Sequence, residues 1–461
     1  MRLINADYDF IFFFAQNLNP KKILQQVIKY LSITGIIAMA TIFLIIYNSL
    51  LFVLLIPASL FILFFSAKYR KELFYKLHER FSIWDYVPKQ NSKKTVWIHC
   101  SSLGEVRAVE PVLDDIRNEY NIVLTTVTKT GREYSEKIQK ADFTYLLPLD
   151  LYPLMMKAFD KIKPDILILV ETELWASMLF AANKKNVKIV TINGRMSART
   201  FKIYNFFRVF WKHFAGYISV VLARAQDDAD RFSVLTESKT QVYVSGNIKY
   251  DRDFIVKADR TDFGLKQNDY LFTAGSVRSG EENIIADAYF AAREKFPGIY
   301  FFMAPRHLSK ISIVKKALNK KNVEYALFSE IQSGKISDTK FILVDVFGKL
   351  QSIYAVSDIC YVGGSIVKKG GQNPIEPAAC AKPVLFGKNM DNFKTEAETL
   401  LKYGGGITVF DAQDIAAKIE KLLSNKTFLK KTGENALQAV NSQKGAVNIT
   451  VQKIKEYING K

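Results

Sequence analysis

The segment Ser101-Ser102-Leu103-Gly104-Glu105 lies between an apolar run that reads as a strand and an amphipathic stretch that reads as a helix. This sets Glu105 at a helix start, on the carboxyl side of a strand, where ligands gather in α/β sheets. A carboxylate there could take a proton from an attacking hydroxyl. The spacing Ser102-x-x-Glu105 is equally that of a capping box, which satisfies amides at the helix N-terminus. Spacing alone leaves both roles open. A second acidic site, Glu171-Thr172-Glu173, follows the apolar run Ile166–Val170. One of these carboxylates could hold a hydroxyl or stabilise positive charge at a reacting carbon, or could simply favour the positive end of the next helix. Lys249 stands where the first half of the pattern ends, able to reach a carboxylate or phosphate, or to remain a solvated lysine.

Phosphate-binding chemistry is concentrated further on. Arg306-His307 follows a predicted strand; the guanidinium fork suits a phosphate, although a surface Arg-His pair is as common. The densest constellation is Gly363 to Pro377, with Gly363, Gly364, Gly370 and Gly371 ahead of Asn373-Pro374-Ile375-Glu376. Pro374 suits the first turn of a helix starting near Asn373, whose exposed amides would bind phosphate. Glu376 would accept from ribose hydroxyls. The three cysteines and four histidines show neither disulfide nor metal-ligand spacing, and no cofactor motif is present.

The elements that must position these groups alternate. Predicted strands Thr95–Ser102, Asn121–Thr128, Asp165–Glu171, Val187–Asn193, Gly216–Ala223 and Gln241–Gly246 are interspersed with helical patterns, which implies a parallel sheet covered on both faces. A polar stretch, Lys249–Asp269, reads as a linker. The rhythm then restarts with strands at Tyr270–Ser276, Ile299–Ala304, Phe341–Val344, Asp358–Val362 and Pro383–Phe386. The expected fold class is α/β, with two Rossmann-like domains facing a cleft. With neither GxGxxG after the first strand nor a P-loop, the pattern favours a nucleotide-sugar enzyme over a dehydrogenase or NTPase.

At 461 residues the chain needs more than one core, and its net charge of +19 favours anionic partners. Leu31–Ser66 contains no charged residue and is long enough to span a bilayer, once or as a hairpin. Lysines and arginines flank both ends, so orientation is ambiguous from charge; the lack of disulfide spacing points to a cytoplasmic catalytic portion. The expected organisation is an extension over 1–30, a membrane anchor over 31–67, an acceptor domain over 68–255 and a nucleotide-binding domain over 256–461, with the last helix able to return to the first domain.

Taken in order, the segments WIHCSSLGEVRA (97–108), TTVTKTGRE (125–133), LPLDLYP (147–153), ETELW (171–175), NGRMSAR (193–199), AQDDADRF (225–232), GNIKYD (246–251), APRH (304–307) and GGSIVKKGGQNPIEPAA (363–379) resemble the Kdo (3-deoxy-D-manno-octulosonic acid) transferase family. These are inverting, metal-independent glycosyltransferases of GT-B fold. The resemblance implies CMP-Kdo as donor, lipid IVA, the tetraacyl lipid A precursor, as acceptor, no cofactor, no nucleic acid, and a place on the cytoplasmic face of the inner membrane among anionic lipids. It implies Glu105 as general base, Glu171 and Lys249 as assistants to the transition state, and Arg306, His307, Gly348, Lys349, Leu350, Asn373, Pro374, Ile375 and Glu376 as the CMP site. The sequence departs from the family at Gln372, where His is expected, and in residues 1–38, which look like an extension; a start at Met39 is expected. Two other readings use the same features: a membrane-associated transferase of another nucleotide sugar, and an inactive cationic membrane-binding relative.

Overall fold

Five consecutive β-branched or leucyl residues, Ile166–Val170, have no polar face to offer water. In the computed structural model all five are buried, in a strand with neighbours on both sides. The structure describes residues 39–55, 57, 72, 74–85, 92–236, 240–251, 258–333 and 339–460. The chain divides into two units between Lys249 and Tyr250, and Gly445–Lys461 belong with the first.

The first unit holds β1 (Thr95–Cys100), β2 (Asn121–Thr126), β3 (Phe143–Leu146), β4 (Ile166–Val170), β5 (Lys188–Gly194), β6 (Val220–Ala223) and β7 (Gln241–Val244), all parallel, in the order β3-β2-β1-β4-β5-β6-β7. The order reverses direction between β1 and β4, and a crevice opens at the carboxyl ends of the strands at such a point. The last helix, Ala446–Asn459, buries Val447, Val451 and Ile454 against the side of this sheet that carries Val96 and Ile98.

The second unit contains β8 (Leu271–Val277), β9 (Tyr300–Pro305), β10 (Ala326–Leu327), β11 (Phe341–Leu343), β12 (Ile359–Val362), β13 (Val384–Phe386) and β14 (Gly406–Thr408), again all parallel. Their order is β10-β11-β9-β8-β12-β13-β14, so the reversal lies between β8 and β12.

One expectation needs correction, and three strands were not expected. The stretch taken as a linker is a linker only in part. From Ala258 onward it belongs to the second unit, because Phe263 and Leu265 are buried in its core and Arg260 donates to the Val356 carbonyl. Strands β3, β10 and β14, none longer than four residues, carry too little pattern to be read from sequence. Among the described residues no helix is long and apolar enough to cross a membrane. The described part of the expected anchor is a helix over residues 39–55; residues 31–38 and 58–67 of that expectation lie outside the described residues.

Candidate active site

Helix Leu103–Ile116 begins at Ser102, whose hydroxyl accepts from the Glu105 amide. The Glu105 side chain turns back, but reaches one residue beyond the N-cap: it accepts from the Ser101 amide at 2.6 Å and from the Ser102 hydroxyl at 3.0 Å. Capping and placement at the strand end are thus one arrangement. Burial first, then the charges of Glu171 and Glu173, push this carboxyl up to about 7, against the Ser101 and Ser102 bonds that pull it down. A carboxylate tuned to that range is suited to exchange protons at neutral pH.

Glu171 follows β4 with φ of 66°, a left-handed conformation that costs a non-glycine residue of order 1 kcal/mol and is typically held only by its surroundings. Its amide donates to the Ile192 carbonyl, and its carboxylate receives Lys249 Nζ at 2.7 Å. Lys249 is brought there by Ile248, which is fully buried and whose amide donates to the Asn193 side chain. Glu105, Glu171 and Lys249 therefore gather at the switch point between β1 and β4.

The second carboxylate of the Glu171-Thr172-Glu173 site is also engaged, and beside it stands a group that escaped sequence reasoning, His99. Glu173 accepts from the Ser101 hydroxyl at 2.9 Å and from the Trp175 indole at 2.6 Å. Behind it His99, fully buried, has Nδ1 against Thr125 and Nε2 3.7 Å from the Glu173 carboxylate. In the sequence His99 is one of four histidines without metal-ligand spacing; its partners lie far along the chain, Thr125 on β2 and Glu173 in the loop after β4.

Glu173, Ser101 and Ser102 border a cavity of about 510 Å³ whose other walls include Trp175, Tyr204, Trp211 and Tyr47. Aromatic faces with a few polar groups suit a ligand that is part apolar, part polar. Tyr47 comes from the helix over 39–55, which is clasped to the unit by polar contacts. Its hydroxyl donates to Asp150 at 2.9 Å, while the Asn48 side chain donates to Ser177 and accepts from the Tyr152 amide. Burial pushes the Asp150 carboxyl up to about 7, with the bonds from Tyr47, Ser177 and Met178 opposing. The helix leaves Ile42, Ile45, Ile46, Leu50 and Val53 exposed.

In the second unit the loops at the β8/β12 switch point carry the cationic groups. Arg278, which sequence reasoning also missed, donates to His307 Nε2 at 2.9 Å. Desolvation first, then the charges of Arg278, Arg306 and Lys310, hold the His307 imidazole below its usual range, in keeping with an accepting nitrogen. Arg306 is exposed, with its amide bonded to the Val277 carbonyl, so the ends of β8 and β9 are tied together. Arg278, His307, Lys310 and Lys369 line a second cavity, of about 170 Å³.

The glycine loop differs from expectation. The helix after it spans only Ile375–Ala379, and Pro374 stands at its N-cap rather than in its first turn. The Asn373 side chain caps it by accepting from the Ile375 amide, and donates to Glu376 at 3.2 Å. The amides of Gly364, Ser365 and Ile366 are not free for phosphate, because the Glu281 carboxylate accepts from all three. Gly364 has φ of 74°, and a Cβ there would stand 3.2 Å from Arg278 Cγ and 3.4 Å from Gln372 Nε2, so the two loops pack face to face. Gly348 and Lys349 follow β11 at the start of helix Leu350–Val356, with Gly348 left-handed and Lys349 at the N-cap. No contact joins them to Arg306 or Asn373 in the way that Arg278 joins His307 among the described residues.

Residues 75–252 match the family described as 3-deoxy-D-manno-octulosonic-acid transferase (kdotransferase). A 3-deoxy-D-manno-octulosonic acid transferase of Haemophilus influenzae is 30% identical over 372 residues, covering 79% of this chain and 87% of that relative. The chain belongs to the Kdo transferase family. A relative of the same description from Aquifex aeolicus is 29% identical over 352 residues, 75% of this chain and 91% of its own. A bifunctional glycosyltransferase/methyltransferase of Fusobacterium nucleatum is 31% identical, and the match covers 78% of this chain and 58% of that one. Among solved structures, a glycosyltransferase from Rickettsia africae superposes with a TM-score of 0.57 at 17% identity, covering 80% of this chain and 99% of its own. A UDP-GlcNAc 2-epimerase from Neisseria meningitidis does so at 0.55 and 13%, covering 79% and 100%. These show that the Kdo transferase chain has two parallel-sheet α/β domains resembling those of GT-B glycosyltransferases.

Proposed function

We propose that this chain transfers Kdo from CMP-Kdo to lipid IVA, with inversion and without a metal ion, at the cytoplasmic face of the inner membrane. The observation that carries the reading is Glu105: a buried carboxyl raised to about 7, at the switch point of the first sheet, beside a cavity of about 510 Å³ walled by aromatic rings.

Glu105 takes the proton of the acceptor hydroxyl as its oxygen bonds to the anomeric carbon of Kdo. The bond from that carbon to the phosphate oxygen breaks, and its electron pair leaves with CMP. One such displacement inverts the anomeric centre. Positive character on the sugar is met by the Glu171 carboxylate, which Lys249 holds in place. Negative charge growing on the phosphate is met by fixed cationic side chains, Arg278 and Arg306 with His307 donating or accepting beside them, without reorganisation of solvent. Asn373 and Glu376, already bonded to each other, are the polar groups available to the ribose.

Membrane association is supported by an apolar surface on the first unit. Ile42, Ile45 and Ile46 of the helix over 39–55 are exposed, and so are Ile203, Phe206 and Phe207. Phe43 meets Phe210 edge to face and Tyr47 packs against it at a tilt, which joins the two elements, and Lys202, Arg208 and Lys212 stand exposed nearby. Apolar side chains ringed by basic ones bind anionic lipid surfaces.

Donor competition tests the nucleotide. CMP should inhibit transfer and raise the melting temperature of the second unit, whereas UDP at the same concentration should do neither; protection by UDP and not by CMP would overturn the donor assignment.

A further inference from the structure

Glu281 stands at the N-cap of helix Glu282–Lys295 with its side chain fully buried. A buried carboxylate is costly unless its oxygens are met by donors. Here five donors converge on it. Oε1 accepts from the Tyr361 hydroxyl at 2.8 Å, the Ser365 amide at 3.0 Å and the Ile366 amide at 3.1 Å. Oε2 accepts from the Gly364 amide at 2.6 Å and the Arg278 amide at 3.0 Å. A carboxylate, which only accepts, fits this set; an amide side chain would turn one donor against another.

The bonds join segments far apart in sequence. Arg278 lies in the loop after β8, Gly364 to Ile366 in the loop after β12. A third loop, after β13, is fastened to the second: the Gly387 amide donates to the Ser365 hydroxyl, and the Asn389 side chain donates to the Ser365 and Ile366 carbonyls. Close packing leaves no slack, since a Cβ at Gly363 would stand 2.4 Å from the Ser276 carbonyl oxygen. Arg278 and the segment from Gly364 to Ile366 are thus set relative to each other by one carboxylate.

We propose that Glu281 is a positioning residue for donor binding. It holds the β8 and β12 loops in register, and by occupying the loop amides it leaves recognition of the anionic phosphate to the side chains of Arg278 and His307. The inference rests on the donor reading above for the identity of the ligand, but not for the loop order itself.

The test uses the full chain and two variants, Glu281→Gln and Tyr361→Phe. With Glu281→Gln, the CMP Kd and the donor KM should each rise about tenfold or more, with the acceptor KM within about twofold of wild type. Amide exchange at Gly364, Ser365, Ile366 and Arg278 should accelerate without ligand present, while the strand amides of β8 and β12 stay protected. Tyr361→Phe removes one bond of the five and should raise the CMP Kd severalfold; it carries the test if Glu281→Gln does not fold. Unchanged CMP Kd and unchanged exchange in a folded variant would overturn the proposal. Wild type that binds no CMP but has these amides protected by Glu281 would sink the donor assignment and leave the positioning role standing.

Discussion

Replacing Glu105 by Gln should make the protein inactive and, at alkaline pH, more stable. The carboxyl moves from an ordinary 4.5 to about 7 in the folded state. That difference of 2.5 pH units, at about 1.4 kcal/mol per unit, is worth about 3.5 kcal/mol. The sign follows from proton binding: the folded state holds the proton more tightly than the unfolded chain does. The stabilisation that proton brings is full below pH 4.5 and is lost as pH rises through 7. Gln has no proton to lose and keeps similar bonds, its oxygen accepting from the Ser101 amide and its nitrogen donating to the Ser102 hydroxyl. The stability of the variant relative to wild type should therefore improve by about 2.5 kcal/mol between pH 5 and pH 8. Asp150, also raised to about 7, titrates in both proteins and cancels. Urea denaturation followed by tryptophan fluorescence reads the right unit, because all four tryptophans, Trp84, Trp97, Trp175 and Trp211, lie in the first. Transfer should fall by about 100-fold or more at every pH. A stability difference that stays the same at both pH values would refute the picture of a buried carboxyl strained by its charge.

The acceptor kcat/KM of wild type should rise with pH along a limb centred near 7, since the base works only when unprotonated; Glu171→Gln removes a neighbouring negative charge and should move that limb to lower pH, and a limb that stays in place would count against the coupling. Arg278→Ala should raise the donor KM by about tenfold with little change in acceptor KM, and an unchanged donor KM would remove Arg278 from the anion site. Phe206→Asp with Phe207→Asp should weaken co-sedimentation with anionic vesicles at least severalfold while transfer to a detergent-solubilised acceptor is kept; undiminished sedimentation would place the membrane contact elsewhere.

The repeating strands were legible because parallel sheets bury both faces, so that runs such as Ile166–Val170 and Tyr300–Ala304 stand out as apolar throughout. Several ends were read one or two residues too long, as after Cys100, Thr126 and Val244, whereas β5, β8 and β9 were ended one residue short and β6 was begun four residues early. Ser101, Ser102 and Glu171 look like strand residues by pattern, but Glu171 adopts a left-handed conformation and the serines turn to cap a helix. Short strands such as Gly406–Thr408 offered nothing to read. Glu105 could be singled out because its role depends on local spacing after a strong strand. His99 and Glu281 could not, because what makes each notable is a partner tens of residues away: Thr125 beside His99, Ser365 beside Glu281. The same distance explains the misreading of the glycine loop. Four glycines signal close backbone approach, and nothing in the loop tells whether a phosphate or a glutamate of the same chain approaches.

The most direct test is mass spectrometry of lipid IVA after incubation with CMP-Kdo and either wild type or Glu105→Ala, with released CMP measured in parallel. Wild type should shift the acceptor by one or more Kdo residues with an equal yield of CMP, and the variant should leave the acceptor unshifted. An unshifted acceptor with active, folded wild type, or a full shift with Glu105→Ala, would contradict the assignment of Glu105 as the base of Kdo transfer.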